Sequence, residues 1–180
     1  MTLGLLVLAL VTLQRALELL LARRNTRRLK ARGAVEVGAD HYPAIVLLHL
    51  AWLLGLWGFG WNRPVQLPWL ALFLVLQAGR AWVLMTLGER WTTRVLMLPN
   101  EPLVRRGPYR LIPHPNYLVV ALEIPVLPLA FGLGRYALVF GLLNLALLAL
   151  RIRVEGKALR GGLAPAAPAP TVQASEGDRA

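Results

Sequence analysis

Cysteine is absent from the 180 residues, which excludes a disulfide framework, a thiolate metal site and a cysteine nucleophile. Acids are scarce too: nine Asp and Glu face twenty Lys and Arg, a formal charge of +11. With 57% hydrophobic residues and a mean hydropathy of +0.55, the chain has too few polar residues to clothe a soluble domain. The same composition is too apolar for a disordered chain. GxGxxG, Walker and HExxH patterns are missing, so no familiar nucleotide or zinc motif is present. A membrane protein and a basic nucleic-acid binder are left, and the placement of the charges separates them.

Three apolar runs approach the roughly 20 residues that cross a hydrocarbon core: Leu3–Ala22, Ala44–Trp61 and Leu67–Leu87. Two shorter ones, Tyr117–Leu133 and Tyr136–Leu150, are separated by Gly134-Arg135 and predict a helical hairpin. A 15-residue arm reaches only about 22 Å, which predicts a local dip or snorkelling flanks. Pro125 and Pro128 predict a kink in the first arm. Basic residues between the runs count six, one, five, one and five. That alternation predicts an all-α integral membrane protein with five transmembrane helices, its N-terminus outside and its C-terminus in the cytoplasm. No basic region precedes the first run, so it is read as a span and not as a cleavable signal. A nucleic-acid binder would gather its basic residues on one face, and no nucleic-acid partner is expected. Residues 1–160 are read as one domain and the Pro/Ala-rich residues 161–180 as a disordered tail.

Ionisable groups inside spans are costly and are functional candidates by default. Arg15 and Glu18 are spaced to pair on one helix face, with Gln14 beside them. His49 fits a helix-to-helix hydrogen bond. Arg80 is close enough to its span end to snorkel. Glu123 is placed to meet either a cationic ligand or an arginine.

The connection from Gly88 to Asn116 carries prolines at 99, 102, 108, 113 and 115. A loop so long is a lid or a binding segment more often than a connector, and its prolines predict a fixed surface. Within it Gly107-Pro108 makes a turn, Tyr109 and Tyr117 bring hydroxyls, and His114 stands between two prolines. His-Pro-x-Tyr at a helix start groups a ring nitrogen, a phenol and free backbone N–H groups. On the last helix Arg151 and Glu155 are i,i+4 and share a face.

The run LGERWTTRVLMLPNEPLVRRGPYRLIPHPNYLVVALE, followed by a second apolar arm and RIRVEGKAL, resembles the isoprenylcysteine carboxyl methyltransferase family. The likeness is greatest to its small bacterial branch, associated with O-methylation of lipids made by type III polyketide synthases. The resemblance implies a multi-pass S-adenosylmethionine-dependent methyltransferase without a Rossmann domain, in a bacterial plasma membrane with its site facing the cytoplasm. It implies cofactor contacts on Arg94, Glu101, Pro102, Leu103, Val104, Tyr109, His114, Pro115, Asn116, Tyr117 and Glu155. Arg151 matches the family's acceptor-side arginine, and with Glu155 it forms the expected catalytic pair. Two positions depart from the pattern: Pro113 stands where a basic residue precedes His-Pro, and Gly156 replaces the second acid of a Glu-Glu pair. The acceptor is expected to be a lipophilic small molecule from the bilayer, bearing a carboxylate or a phenol or enol. Membrane lipids are the other expected contact, no metal is expected, and no protein partner is inferred. Phospholipid N-methylation, a reductase of the wider superfamily, and a non-enzymatic scaffold binding anionic lipid are the alternatives.

Overall fold

Proline marks three of the helix starts, because a residue without an N–H loses nothing in a first turn. Pro43 stands in the first turn of α2 (Tyr42–Gly60), Pro68 in that of α3 (Leu67–Leu87), and Pro115 opens α4 (Pro115–Ala130). The first helix, α1, is Thr2–Ala31 and the last, α5, is Gly134–Arg160. These elements come from a computed structural model, which describes residues 2–98 and 104–160. The pattern 161–180 and the Glu101-Pro102-Leu103 stretch lie outside the described residues.

Both end helices run past their apolar segments. Arg and Lys are good helix formers, so α1 continues beyond the apolar run Leu3–Ala22 through RRNTRRLKA to Ala31. Likewise α5 has 27 residues and needs no dip in the bilayer, unlike the 15-residue arm read from hydropathy. Among the described residues four helices are long and apolar enough to cross a membrane, and α4, with 16 residues, is a shorter apolar helix beside them. Their outer faces carry Leu13, Leu17, Leu47, Leu74, Val75 and Leu138, all exposed. This is a surface for hydrocarbon and not for water.

Pro125 and Pro128 lie inside α4, which continues through both. Pro128 cannot bond the carbonyl of Ile124, and Trp52 of α2 supplies the missing donor, its Nε1 giving a 2.9 Å hydrogen bond to that oxygen. A freed carbonyl in a membrane must be satisfied by a neighbour. A tight turn at Gly132, φ 67°, sends the chain back into α5, so α4 and α5 form the expected hairpin. Gly141 lets them close: a Cβ there would sit 3.4 Å from Pro125. Tyr136 of α5 donates to the Trp52 carbonyl at 2.7 Å, tying α5 to α2. Leu8, Trp52, Leu56, Phe73, Ile124, Leu127 and Phe131 form the buried core toward this end of the bundle.

At the opposite end, rich in arginine, the fold departs from all-α. Val35–Val37 (β1) pairs antiparallel with Val95–Met97 (β2), Glu36 opposite Leu96. This strap joins the α1–α2 and α3–α4 connections. Asn25 of α1 adds a second tie, donating to the carbonyls of Trp91 at 2.9 Å and Gly88 at 3.1 Å.

Candidate active site

Each helix contributes a polar residue to one layer. Arg15, His49, Arg80, Glu123 and Asn144 lie seven residues from Ala22, Tyr42, Leu87, Asn116 and Arg151 respectively. At 1.5 Å per residue the layer is about 10 Å below the arginine-rich end. Glu123, 1% exposed, accepts from Arg80 through Nε at 2.8 Å and Nη2, from Arg15 at 3.0 Å and from Gln77 at 2.8 Å. Glu18 accepts from Arg15 at 2.8 Å and Arg80 at 3.1 Å. Two cations and two anions close into a neutral cluster across α1, α3 and α4, which lets charge persist in an apolar bundle. Four readings of span residues meet the structure here, and those for Arg80 and His49 change. Arg80 is buried and does not snorkel. Glu123 is held by arginines and is not open to a cationic ligand. The Arg15–Glu18 pair exists, but as part of a three-helix network. His49 bonds its own helix, Nδ1 to the Ile45 carbonyl at 2.8 Å, not a neighbouring one.

Above this layer, at the start of α4, the Tyr117 hydroxyl donates to Glu155 Oε2 at 2.7 Å and accepts from Arg151 Nε at 3.0 Å. The i,i+4 pair therefore meets through the phenol of a different helix. The Arg151 guanidinium stands 5.4 Å from the Tyr117 ring centre. His114 stacks on the same ring at 5.1 Å, with Nδ1 4.0 Å from Glu155 Oε2. Its carbonyl caps the helix, accepting from the Tyr117 and Leu118 amides. Tyr109 lies close enough for the Glu155 charge to act on it, and partial burial foremost pushes its hydroxyl up to about 12. The sequence-predicted residues Tyr109, His114, Tyr117, Arg151 and Glu155 are thus brought together. Pro115 is buried, Asn116 and Val104 are partly so.

Arg94 stands apart. Its guanidinium pairs with Glu36 on the strap and lies 4.1 Å over the Tyr42 ring. Burial raises the Glu36 carboxyl, but hydrogen bonds from Lys30 and Arg94 outweigh it and hold the group below the ordinary carboxylate value. A carboxyl depressed in the fold stabilises it fully above its unfolded pKa and loses that contribution as pH falls through the folded value. Acidification to below about pH 4 is therefore expected to loosen the strap. Amide hydrogen exchange at Val95–Met97, corrected for intrinsic rate, checks this by rising more than exchange in α4.

Between the two polar levels lies a cavity of about 260 Å³. Its floor is Arg15, Glu18, His49, Arg80 and Asn144, and its rim includes Asn116, Tyr117 and Arg151. Leu19 of α1 with Val46 and Leu50 of α2 line it, and each is about half exposed, so part of its wall is apolar. Three buried side-chain atoms among the described residues lack a hydrogen-bond partner: Arg15 Nε, Trp91 Nε1 and Asn116 Oδ1. All three residues line this cavity. Unpaired buried polar atoms are rare, and each calls for a partner such as a water, an ion or a ligand. Asn144, Trp91 and Tyr42 are cavity residues that sequence reasoning passed over. Only Asn144, a lone amide in an apolar span, carried a readable signal.

Four long apolar helices around a cavity with a polar floor, and Tyr117 and Arg151 at its rim, mark an integral membrane protein. The isoprenylcysteine carboxyl methyltransferase family model matches residues 69–161, just over half of the chain, and the protein belongs to that family. The chain is 39% identical over 160 residues to the uncharacterised protein YpbQ of Bacillus subtilis, covering 86% of this chain and 95% of that one. It is 26% identical over 148 residues to an uncharacterised Haemophilus influenzae protein, covering 76% and 83%. No solved structure matches the chain. Membership makes this a membrane methyltransferase by family, and its matched segment contains α4, α5 and every residue of the Tyr117 cluster.

Proposed function

We propose that the protein transfers a methyl group from S-adenosylmethionine to an oxygen of a lipophilic acceptor drawn from the bilayer. The observation that carries this reading is the Tyr117 hydroxyl tied between Arg151 and Glu155 beside a cavity with partly apolar walls. S-adenosylmethionine supplies a methyl group on a positively charged sulfur. The residues present suit such a group: Glu155 Oε1 has no partner among the described residues, and Asn116 Oδ1 is a buried acceptor without a donor. Both suit an ammonium or a ribose hydroxyl.

Glu155, His114, Asn116 and Tyr109 would hold the cofactor, with Glu101 to Val104 and Arg94 as the family resemblance implies. Arg151 spends Nε on Tyr117, which leaves its Nη atoms to hold the anionic acceptor oxygen at the rim. Tyr117 fixes both side chains, so their spacing is set before either ligand arrives. An in-line displacement asks chiefly for such positioning in a dry site. A carboxylate acceptor needs no base. For a phenol or enol, Glu155 or His114 takes the proton.

The reading is tested by incubating detergent-purified protein with methyl-labelled S-adenosylmethionine and a total lipid extract. Label is expected in an ester or aryl ether. Label in an amine headgroup would favour N-methylation, and label nowhere would overturn the reading.

A further inference from the structure

The outward side of the connection into α4 has no part in the methyl-transfer reading. Its backbone is tightly wound: Gly107, φ 56°, opens a turn in which the Tyr109 amide donates to the Arg106 carbonyl at 3.2 Å, and the Leu111 and Ile112 amides both donate to the Pro108 carbonyl at 3.1 Å. The turn is seated on the end of α3. A Cβ on Gly107 would lie 2.5 Å from Thr86 Oγ1, and Arg106 Nη2 donates to the Thr86 carbonyl at 3.3 Å. Thr86 is the last residue but one of that apolar helix, so the turn lies at the level where α3 leaves hydrocarbon.

The turn has two unlike sides. Pro108 is buried, and Tyr109 packs with Ala22, Val83 and Trp91 while its hydroxyl lies in the field of the Glu155 charge. The other side shows Arg105, Arg106, Arg110, Leu111, Ile112 and Pro113, all exposed, Leu111 at 72%. On the adjoining end of α3, Trp82 and Met85 are exposed as well. None of these three arginines has a carboxylate partner among the described residues, since Glu36 is taken by Lys30 and Arg94, and Glu89 by Arg28. Exposed leucine and isoleucine beside arginines without counter-charges are costly in water and suit a bilayer interface. There apolar side chains enter the acyl boundary, indole sits at headgroup depth, and arginine meets phosphate.

We infer that residues 105–113 dock on the anionic headgroups of the bilayer at the arginine-rich end, and that this contact steadies the candidate site behind them. Leu111 and Ile112 enter the apolar layer, while Arg105, Arg106 and Arg110 take lipid phosphates. The consequence for function rests on the methyl-transfer reading. Tyr109 lies within the docked segment and His114 follows it directly, stacked on Tyr117 at 5.1 Å. Anionic lipid therefore pre-organises part of the cofactor site, and cofactor affinity rises with it.

Amide hydrogen exchange of the full chain in lipid nanodiscs decides the docking, with discs of phosphatidylcholine alone or of phosphatidylcholine mixed with phosphatidylglycerol. Exchange at Tyr109, Leu111 and Ile112 is expected to slow at least about fivefold in the anionic discs, the scale of one arginine at such a surface, and to recover at high salt. Arg106→Gln with Arg110→Gln is expected to abolish the response. Arg24→Gln with Arg27→Gln, an equal charge lost from the exposed side of α1, is expected to keep it, which separates the loop from the general effect of a charged surface on exchange. No slowing in anionic discs, an equal loss in the α1 variant, or equal slowing by soluble polyglutamate in uncharged discs would overturn the inference, the last by assigning the patch to an acidic protein. S-adenosylhomocysteine titrated into the same discs reads the coupling: its affinity is expected to be at least about fivefold higher in the anionic discs, with no such gain in Arg106→Gln with Arg110→Gln. Equal affinities in the two discs would overturn the coupling. No binding in either disc would count against the cofactor reading and leave the docking, which exchange alone decides, standing.

Discussion

Glu123→Ala is expected to leave little folded protein after detergent extraction. Glu123 is the acceptor for two arginines and a glutamine, and its removal strands Arg80, itself 5% exposed, without its main counter-charge. Breaking a buried pair on one side costs about 3–5 kcal/mol, which is a large part of a domain's whole stability. The desolvation logic also predicts a rescue. Arg80→Met with Glu123→Leu removes one charge of each sign, and the Arg15–Glu18 pair, at 2.8 Å, stays neutral. Size-exclusion recovery and thermal unfolding in detergent should place the double variant near the native protein and the single variant far below it. Comparable loss in both would mean that the cluster matters for more than charge balance.

The contrast between this cluster and the sequence reading has a physical cause. Hydropathy places Arg15, His49, Arg80 and Glu123 in depth along their own helices, but not in azimuth. Whether Glu123 meets a ligand or Arg80 depends on which faces of α1, α3 and α4 turn toward each other, and helices apolar on all sides carry no such signal. The spans themselves were readable because twenty apolar residues leave a bilayer as their only solvent. Their ends were less so: α1 and α5 extend into arginine-rich sequence because Arg, Leu and Lys are good helix formers in or out of lipid. The strap escaped notice because Val35–Val37 and Val95–Met97 have three residues each, too few to show an alternation. At the candidate site, the His-Pro-x-Tyr start of α4 and the i,i+4 pair on α5 were visible as separate local patterns. That Tyr117 joins them was not, since it depends on how the hairpin folds back at Gly132. Arg94 was grouped with these residues by motif, whereas its ion pair lies with Glu36, 58 positions earlier in the chain.

Replacing Glu155 should have the second large effect, and on ligand binding more than on stability. Its carboxylate has a half-buried place at the end of α5, with one bond to Tyr117 and no partner for Oε1 among the described residues. The bundle core lies elsewhere, so Glu155→Ala is expected to keep the native thermal unfolding temperature within a few degrees. Hydrogen bonds to charged groups are worth about 1.5–3 kcal/mol, which predicts a loss of affinity for a cationic ligand of about tenfold to a hundredfold. Tyr117 would then keep Arg151 Nε but lose its acceptor, loosening the arginine at the rim as well.

Calorimetric titration of S-adenosylhomocysteine into the detergent-purified protein, native and Glu155→Ala, tests the account most directly. Saturable binding at one site by the native protein, weakened at least about tenfold in a variant that is still folded, is the predicted result. No heat at millimolar ligand, or equal affinity in the two proteins, would contradict it.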